Sequence, residues 1–208
     1  MIKKRVVLVF LKYPEAGRVK TRLARDVGED EAARIYAEMV RRVLGVIAGL
    51  QGVAVWICYD PAGMGGAVRE WVGELAGEAA QKWDFLGQVE GDLGERMRVA
   101  IGAAVAAGYC RVGVVGTDCL ELSGELFTEL WQMLEGVDVV FGPARDGGYY
   151  LLGVKGVCDG ILEGIEWSSE RTLEMSLSAA TAAGLSVGQL ALLRDVDTLA
   201  DWESMNCE

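Results

Sequence analysis

Four short segments gather the residue types that bind phosphate, hold hard cations or move protons. The first is residues 12–22, KYPEAGRVKTR, where Lys12, Lys20 and Arg22 surround Thr21 and Gly17 lets the backbone approach a ligand closely. Cations on a glycine-containing turn after a strand suit a diphosphate. A solvated basic loop explains the same charges, so both readings stand at this point. The turn matches neither the Walker pattern nor G-x-G-x-x-G, which excludes those two phosphate-binding mechanisms.

The second is Val114-Val115-Gly116-Thr117-Asp118, in which an acid directly follows a buried run. Such an aspartate can hold Mg²⁺ or Mn²⁺ against nucleotide phosphates, or cap the loop that follows. The third, GPARDGGYY at 142–150, offers Asp146 as a general base or a partner for a sugar hydroxyl. Tyr149 or Tyr150 could stack on a ring, and Gly147 and Gly148 also suit a plain hairpin turn. The fourth, Asp195-Val196-Asp197-Thr198, combines a helix N-cap signal with acids able to reach a cation, Asp197 foremost. Arg96 in LGER and Trp167 in the WS pair are weaker candidates for ligand contact, equally suited to capping or packing.

The elements that must carry these segments alternate short β-branched runs with longer helical patterns, the pattern of βαβ units and a mostly parallel sheet. Strands are predicted at 6–11, 53–59, 82–86, 111–116, 138–141, 149–154 and 186–193. Helices are predicted at 29–50, 67–75, 95–107, 125–134, 169–183 and 199–205. Ile35, Tyr36, Met39, Val40, Val43, Leu44 and Ile47 recur at helical spacing along the first of them. Without a repeat, a low-complexity stretch or a linker, one domain over 1–208 is expected. Strand ends then carry Lys12, Asp118 and the 142–150 loop to one edge of the sheet.

Charge is distributed unevenly. The first 25 residues hold eight lysines and arginines against one acid, Glu15, while the whole chain has a net charge of −11. That balance argues against a nucleic acid polymer, which needs an extended basic face, but a short basic patch serves one nucleotide. The cations Lys3, Lys4 and Arg5 precede the first strand and are expected at the opposite end of the sheet. Residues 6–11 are too short an apolar run for a secretory signal, and no stretch approaches the ~20 residues that span a bilayer, so no membrane partner is expected. Cys58, Cys110, Cys119, Cys158 and Cys207 form no C-x-x-C pair, and this points to a reduced, cytoplasmic setting. The chain has no histidine, so a metal must be held mainly by oxygen and a general base is expected to be a carboxylate.

Taken in order, FLKYPEAGRVKTRLA, LGERM, GTDC, FGPARDGGYYLLG, EWSS and DVDTLADW resemble a family of bacterial GT-A-like proteins assigned as glycosyltransferases. Some of that family are linked to arsenosugar biosynthesis, and it lies within the nucleotide-diphospho-sugar transferase superfamily. The similarity runs from Val6 to Trp202. A more distant resemblance is to 2-phospho-L-lactate guanylyltransferase, which has a similar Lys-x-Arg-Leu turn and late Asp-x-Asp-Thr segment.

The resemblance implies an α/β, three-layer GT-A fold, a mixed, mostly parallel sheet flanked by helices. Gly17, Lys20 and Arg22 would match the phosphate-binding turn, Asp118 the metal-binding acid, and Asp197 a late acid near the same Mg²⁺ or Mn²⁺. A glycosyltransferase with a nucleotide-sugar donor and a small-molecule acceptor is the implied activity. A nucleotidyltransferase releasing pyrophosphate and a non-catalytic nucleotide-binding protein are the alternatives. The chain departs from the family pattern in having Gly116 two residues before Asp118, where an Asp-x-Asp pair is common, and Leu120 in place of a proline.

Overall fold

Val6, Val7, Leu8 and Val9 have no solvent exposure at all, which requires a strand covered on both faces. The structure, a computed structural model, describes residues 4–156 and 160–206. Its strands are β1 (Arg5–Lys12), β2 (Ala54–Asp60), β3 (Asp84–Gly87), β4 (Arg111–Val115), β5 (Val139–Pro143), β6 (Tyr149–Lys155) and β7 (Val187–Gln189). The α-helices are α1 (Ala24–Val27), α2 (Glu29–Ala48), α3 (Gly65–Ala76), α4 (Leu93–Ala106), α5 (Gly124–Gly136), α6 (Thr172–Ala182) and α7 (Leu199–Ser204). Lys3, Cys158 and Cys207 lie outside the described residues. No helix among those described is long and apolar enough to cross a membrane.

The strands form one mixed sheet in the order β3-β2-β1-β4-β6-β5-β7. Only β6 runs against the rest, because the tight 144–148 turn returns it beside β5. Side chains alternate across β1: Val7, Val9 and Leu11 join the core under α2, α3 and α5, and Val6 and Leu8 join the core under α4 and α6. The result is the three-layer α/β arrangement implied by the sequence.

Gly113 and Gly153 are register partners on β4 and β6, and Leu130 of α5 lies directly over both. A Cβ on Gly153 would come 2.3 Å from Leu130 Cδ1. Gly153→Ala is therefore expected to cost about 1–3 kcal/mol through overpacking, read from chemical denaturation.

Three boundaries differ from the sequence reading for local reasons. The final strand keeps only Val187–Gln189 in the ladder. Pro143 on the neighbouring β5 has no N–H to donate to it. The Leu190 N–H still donates to the Phe141 carbonyl and the Leu193 N–H to the Pro143 carbonyl, while Leu192 between them is 57% exposed. Helix α6 starts at Thr172 rather than 169, because the Thr172 hydroxyl donates to the Glu166 and Ser169 carbonyls and closes a turn. The short α1 has no counterpart among the predicted helices, and Gly28 at φ +86° separates it from α2.

A third apolar cluster joins the two ends of the chain. Leu23, Ala32, Ile35, Met39 and Val196 bury one another, with Leu199 and Trp202 packed alongside. Leu23 comes directly after the 12–22 turn, and Val196 sits between Asp195 and Asp197. Apolar burial thus fastens the last segment of the chain to the first loop.

Candidate functional site

Parallel strands deliver their loops to one edge. Lys12 ends β1 in register with Asp60 at the end of β2. Thr117 and Asp118 follow β4, and Asp146 lies in the turn that leads to Tyr149 at the start of β6. The backbone N–H of Val196 donates to the Asp118 carbonyl at 2.9 Å, tying the 195–197 segment to the same edge. Arg5 lies at the far end, opposite Arg111.

These loops enclose a cleft of ≈ 730 Å³. Of the residues singled out by sequence, Lys12, Lys20, Thr21, Arg22, Arg96, Asp118, Asp146, Tyr149 and Asp197 line it. Gly17, Gly147, Gly148 and Trp167 do not. Gly17, at φ +77°, turns against the Glu29 side chain. Trp167 packs on Gly94 and edge-on to Tyr149, with ring centroids 6.3 Å apart.

The centre of the cleft is a compact ionic cluster. Lys20 Nζ lies 2.8 Å from Asp118 Oδ1 and 3.3 Å from Asp197 Oδ1, and donates to the Val196 carbonyl at 2.7 Å. Arg22 Nη1 donates to Asp197 Oδ2 at 3.0 Å. Lys20 has φ +46°, a backbone state a lysine adopts only when its surroundings impose it. Burial alone would lower its pKa, but the Asp118 and Asp197 carboxylates outweigh burial and raise it.

Asp195 also lines the cleft. Burial, reinforced by Asp118 and Asp146, pushes its carboxyl up to about 7 despite the nearby Lys20. In the sequence Asp195 stands beside Asp197 as one of two acids able to make a second metal contact. Its position two residues from Asp197 on an extended segment is the available signal.

Asp146 accepts the Gly148 N–H at 2.8 Å on Oδ1, within the tight turn its sequence suggests. Arg96 Nε donates to the Gly91 carbonyl and Nη1 to Gln88 Oε1, while Asp60 lies 3.5 Å away. Gln88 is fixed in turn by donating to the Cys58 carbonyl at 2.8 Å. Cys119 follows Asp118 but cannot serve as a thiolate, because burial pushes its thiol up to about 12.

Tyr36 has a role that its place in the helical apolar stripe conceals. Its hydroxyl accepts the Lys12 N–H at 2.9 Å and meets Thr117 Oγ1 at 3.2 Å, bridging the ends of β1 and β4 beneath the cleft. Burial, then the charge of Asp118, raises its pKa and keeps it a neutral phenol. Tyr36→Phe is expected to cost about 1–3 kcal/mol, because the Lys12 N–H loses its acceptor. Urea unfolding checks this.

The oxygen-only donors Asp118 and Asp197 suit a hard divalent ion, and an ammonium already stands between them as a cation. Among the described residues, no three His, Cys, Asp or Glu side chains converge to hold a metal by themselves.

The mixed sheet with its cleft at the carboxyl edge defines a nucleotide-diphospho-sugar transferase-type α/β fold. The chain belongs to the family DUF2064, described as an uncharacterized protein conserved in bacteria, which residues 43–169 match. A crystal structure from Desulfovibrio desulfuricans G20, named by inference a nucleotide-diphospho-sugar transferase, is 35% identical with a TM-score of 0.87, covering 98% of this chain and 87% of that one. CMP:2-keto-3-deoxy-manno-octonic acid synthetase complexed with CTP shares the fold at 14% identity and TM-score 0.60, covering 98% and 97%. A Mycobacterium tuberculosis H37Rv protein in complex with manganese does so at 17% identity and TM-score 0.54, covering 97% and 98%. Comparison with curated proteins gives no match.

Proposed function

We propose that this chain is a transferase that takes a nucleotide-diphospho-sugar as donor and a small-molecule hydroxyl as acceptor. One observation carries the reading: Lys20, Arg22, Asp118 and Asp197 converge at the carboxyl edge of the sheet, inside a cleft of ≈ 730 Å³. That volume falls within the range of about 300–1,000 Å³ usual for ligand pockets. The name of the 35% identical relative supports the donor class.

In this reading Lys20 and Arg22 donate charge-assisted hydrogen bonds to the diphosphate oxygens. Asp118 and Asp197 would hold Mg²⁺ or Mn²⁺. When bound, the ion supplies neutralising charge for the departing nucleoside diphosphate. Asp146 has one oxygen tied to Gly148 and uses the other to orient the acceptor hydroxyl and take its proton. Tyr149 and Arg96 line the same cleft and are available to sugar and base.

Lys12 and Arg18 also line the cleft, enough added positive charge for a triphosphate. This favours nucleotidyl transfer as a second reading, with the same turn holding a nucleoside triphosphate. A thermal-shift screen of UDP- and GDP-sugars and nucleoside triphosphates, with and without Mn²⁺, is the test. Donor binding raises the melting temperature by mass action, and failure of every nucleotide to do so overturns both readings. Release of nucleoside diphosphate supports glycosyl transfer, and release of pyrophosphate supports the second reading.

A further inference from the structure

Lys20 occupies an unusual position for a phosphate ligand. Its side chain is 6% exposed, whereas those of Asp118 and Asp197 are 51% and 36% exposed. All of its N–H donors are spent, on Asp118, Asp197 and the Val196 carbonyl. As the chain stands, this ammonium has nothing left to offer a phosphate, and it fills the space a cation would take between the acids. Its N···O distances of 2.7–3.3 Å are those of an ammonium. A divalent ion needs oxygens at about 2.0–2.6 Å and cannot share the position with it.

We infer that Lys20 is a place-holding cation. In the nucleotide-free protein it occupies the divalent-ion position between Asp118 and Asp197, and it yields that position only when arriving phosphates give its ammonium new partners. Divalent ion and nucleotide then bind together, and the free protein takes up the ion poorly.

Three features hold the place-holder ready. The lysine backbone is fixed in the left-handed region, and Leu23 three residues later is fully buried, so the turn cannot drift. Arg22 keeps its own bond to Asp197 Oδ2, so that acid remains partly neutralised when Lys20 leaves. Asp118 has Lys20 as its sole ion-pair partner among the described residues, so it is the acid most exposed by the exchange.

The inference rests on the reading that Asp118 and Asp197 hold the ion, and its test needs no nucleotide. Mn²⁺ binding to the full chain is measured by electron paramagnetic resonance without nucleotide. Lys20→Met is expected to bind Mn²⁺ about tenfold or more tighter than the wild type, since a competing positive charge has been removed. Lys20→Arg keeps the charge and is expected to stay weak, and Lys20→Met with Asp118→Asn is expected to lose the gain. Should circular dichroism show Lys20→Met unfolded, Lys20→Gln carries the same expectation. Equal or weaker Mn²⁺ binding by the neutral variants overturns the inference. Nucleotide binding by the wild type would then leave the proposed function standing.

Discussion

The Lys20→Ala/Arg22→Ala double variant is expected to lose about a hundredfold in nucleotide affinity when measured without divalent ion. Under that condition the phosphates must be neutralised by side chains alone. Hydrogen bonds to charged groups are worth about 1.5–3 kcal/mol each, and two would total more than the ~2.7 kcal/mol that a hundredfold requires. The surplus is discounted because Arg22 is 66% exposed and solvent screens it, and because Lys20 must give up its bonds to Asp118, Asp197 and the Val196 carbonyl. Isothermal titration with the tightest-binding nucleotide reads the effect. Affinity within threefold of the wild type would mean that the turn is not the phosphate site. The variant is also expected to melt lower, because Asp118 and Asp197 lose their buried counter-charge.

Gly147→Ala has the largest expected effect on stability. Gly147 has φ +87°, and a Cβ there would sit 2.1 Å from the Glu170 carbonyl oxygen. That oxygen is backbone and cannot rotate aside, and the left-handed state adds about 1–2 kcal/mol for alanine. The sum is expected to exceed about 3 kcal/mol, a drop of roughly 6–12 °C in melting temperature for a chain of this size. Gly148→Ala is the contrasting variant. Its Cβ would meet only the Asp146 carboxylate, at 3.1 Å, and its φ is ordinary, so it is expected to fall well short of Gly147→Ala. If the two variants melt together, the close approach is not what holds this turn. Because the Gly147 carbonyl accepts the Leu173 N–H at 2.9 Å, loosening the turn also moves Asp146 relative to the start of α6.

How much of this is legible in the sequence depends on distance along the chain. Strands announce themselves through buried β-branched runs, and the rule that ligands lie beyond strand carboxyl ends places Lys12, Asp118 and Asp146 on one edge. The tight turn at Asp146-Gly147-Gly148 is readable because its chemistry is contained in three consecutive residues. The pairing of Lys20 with Asp197 is not readable without the family resemblance, since it spans 177 positions and depends on Leu23 and Val196 finding each other. Tyr36 is hidden for another reason. Its ring satisfies the helical apolar pattern so well that nothing marks its hydroxyl as the link between Lys12 and Thr117. The shortened last strand turns on Pro143 of its neighbour, an effect no property of 186–193 records.

The apolar fastening of Val196 to Leu23 also sets a timetable. Lys20 and the carbonyl it bonds at Val196 are 176 residues apart. At a synthesis rate of about 5–20 residues per second, roughly 9–35 seconds separate their emergence from the ribosome. During that interval the basic turn is already made, while the late acid and the carbonyl that will hold Lys20 do not yet exist. The first loop therefore waits, positively charged and without half of its partners, until the sheet is nearly complete. The cleft therefore cannot close around Lys20 before Val196 has been made.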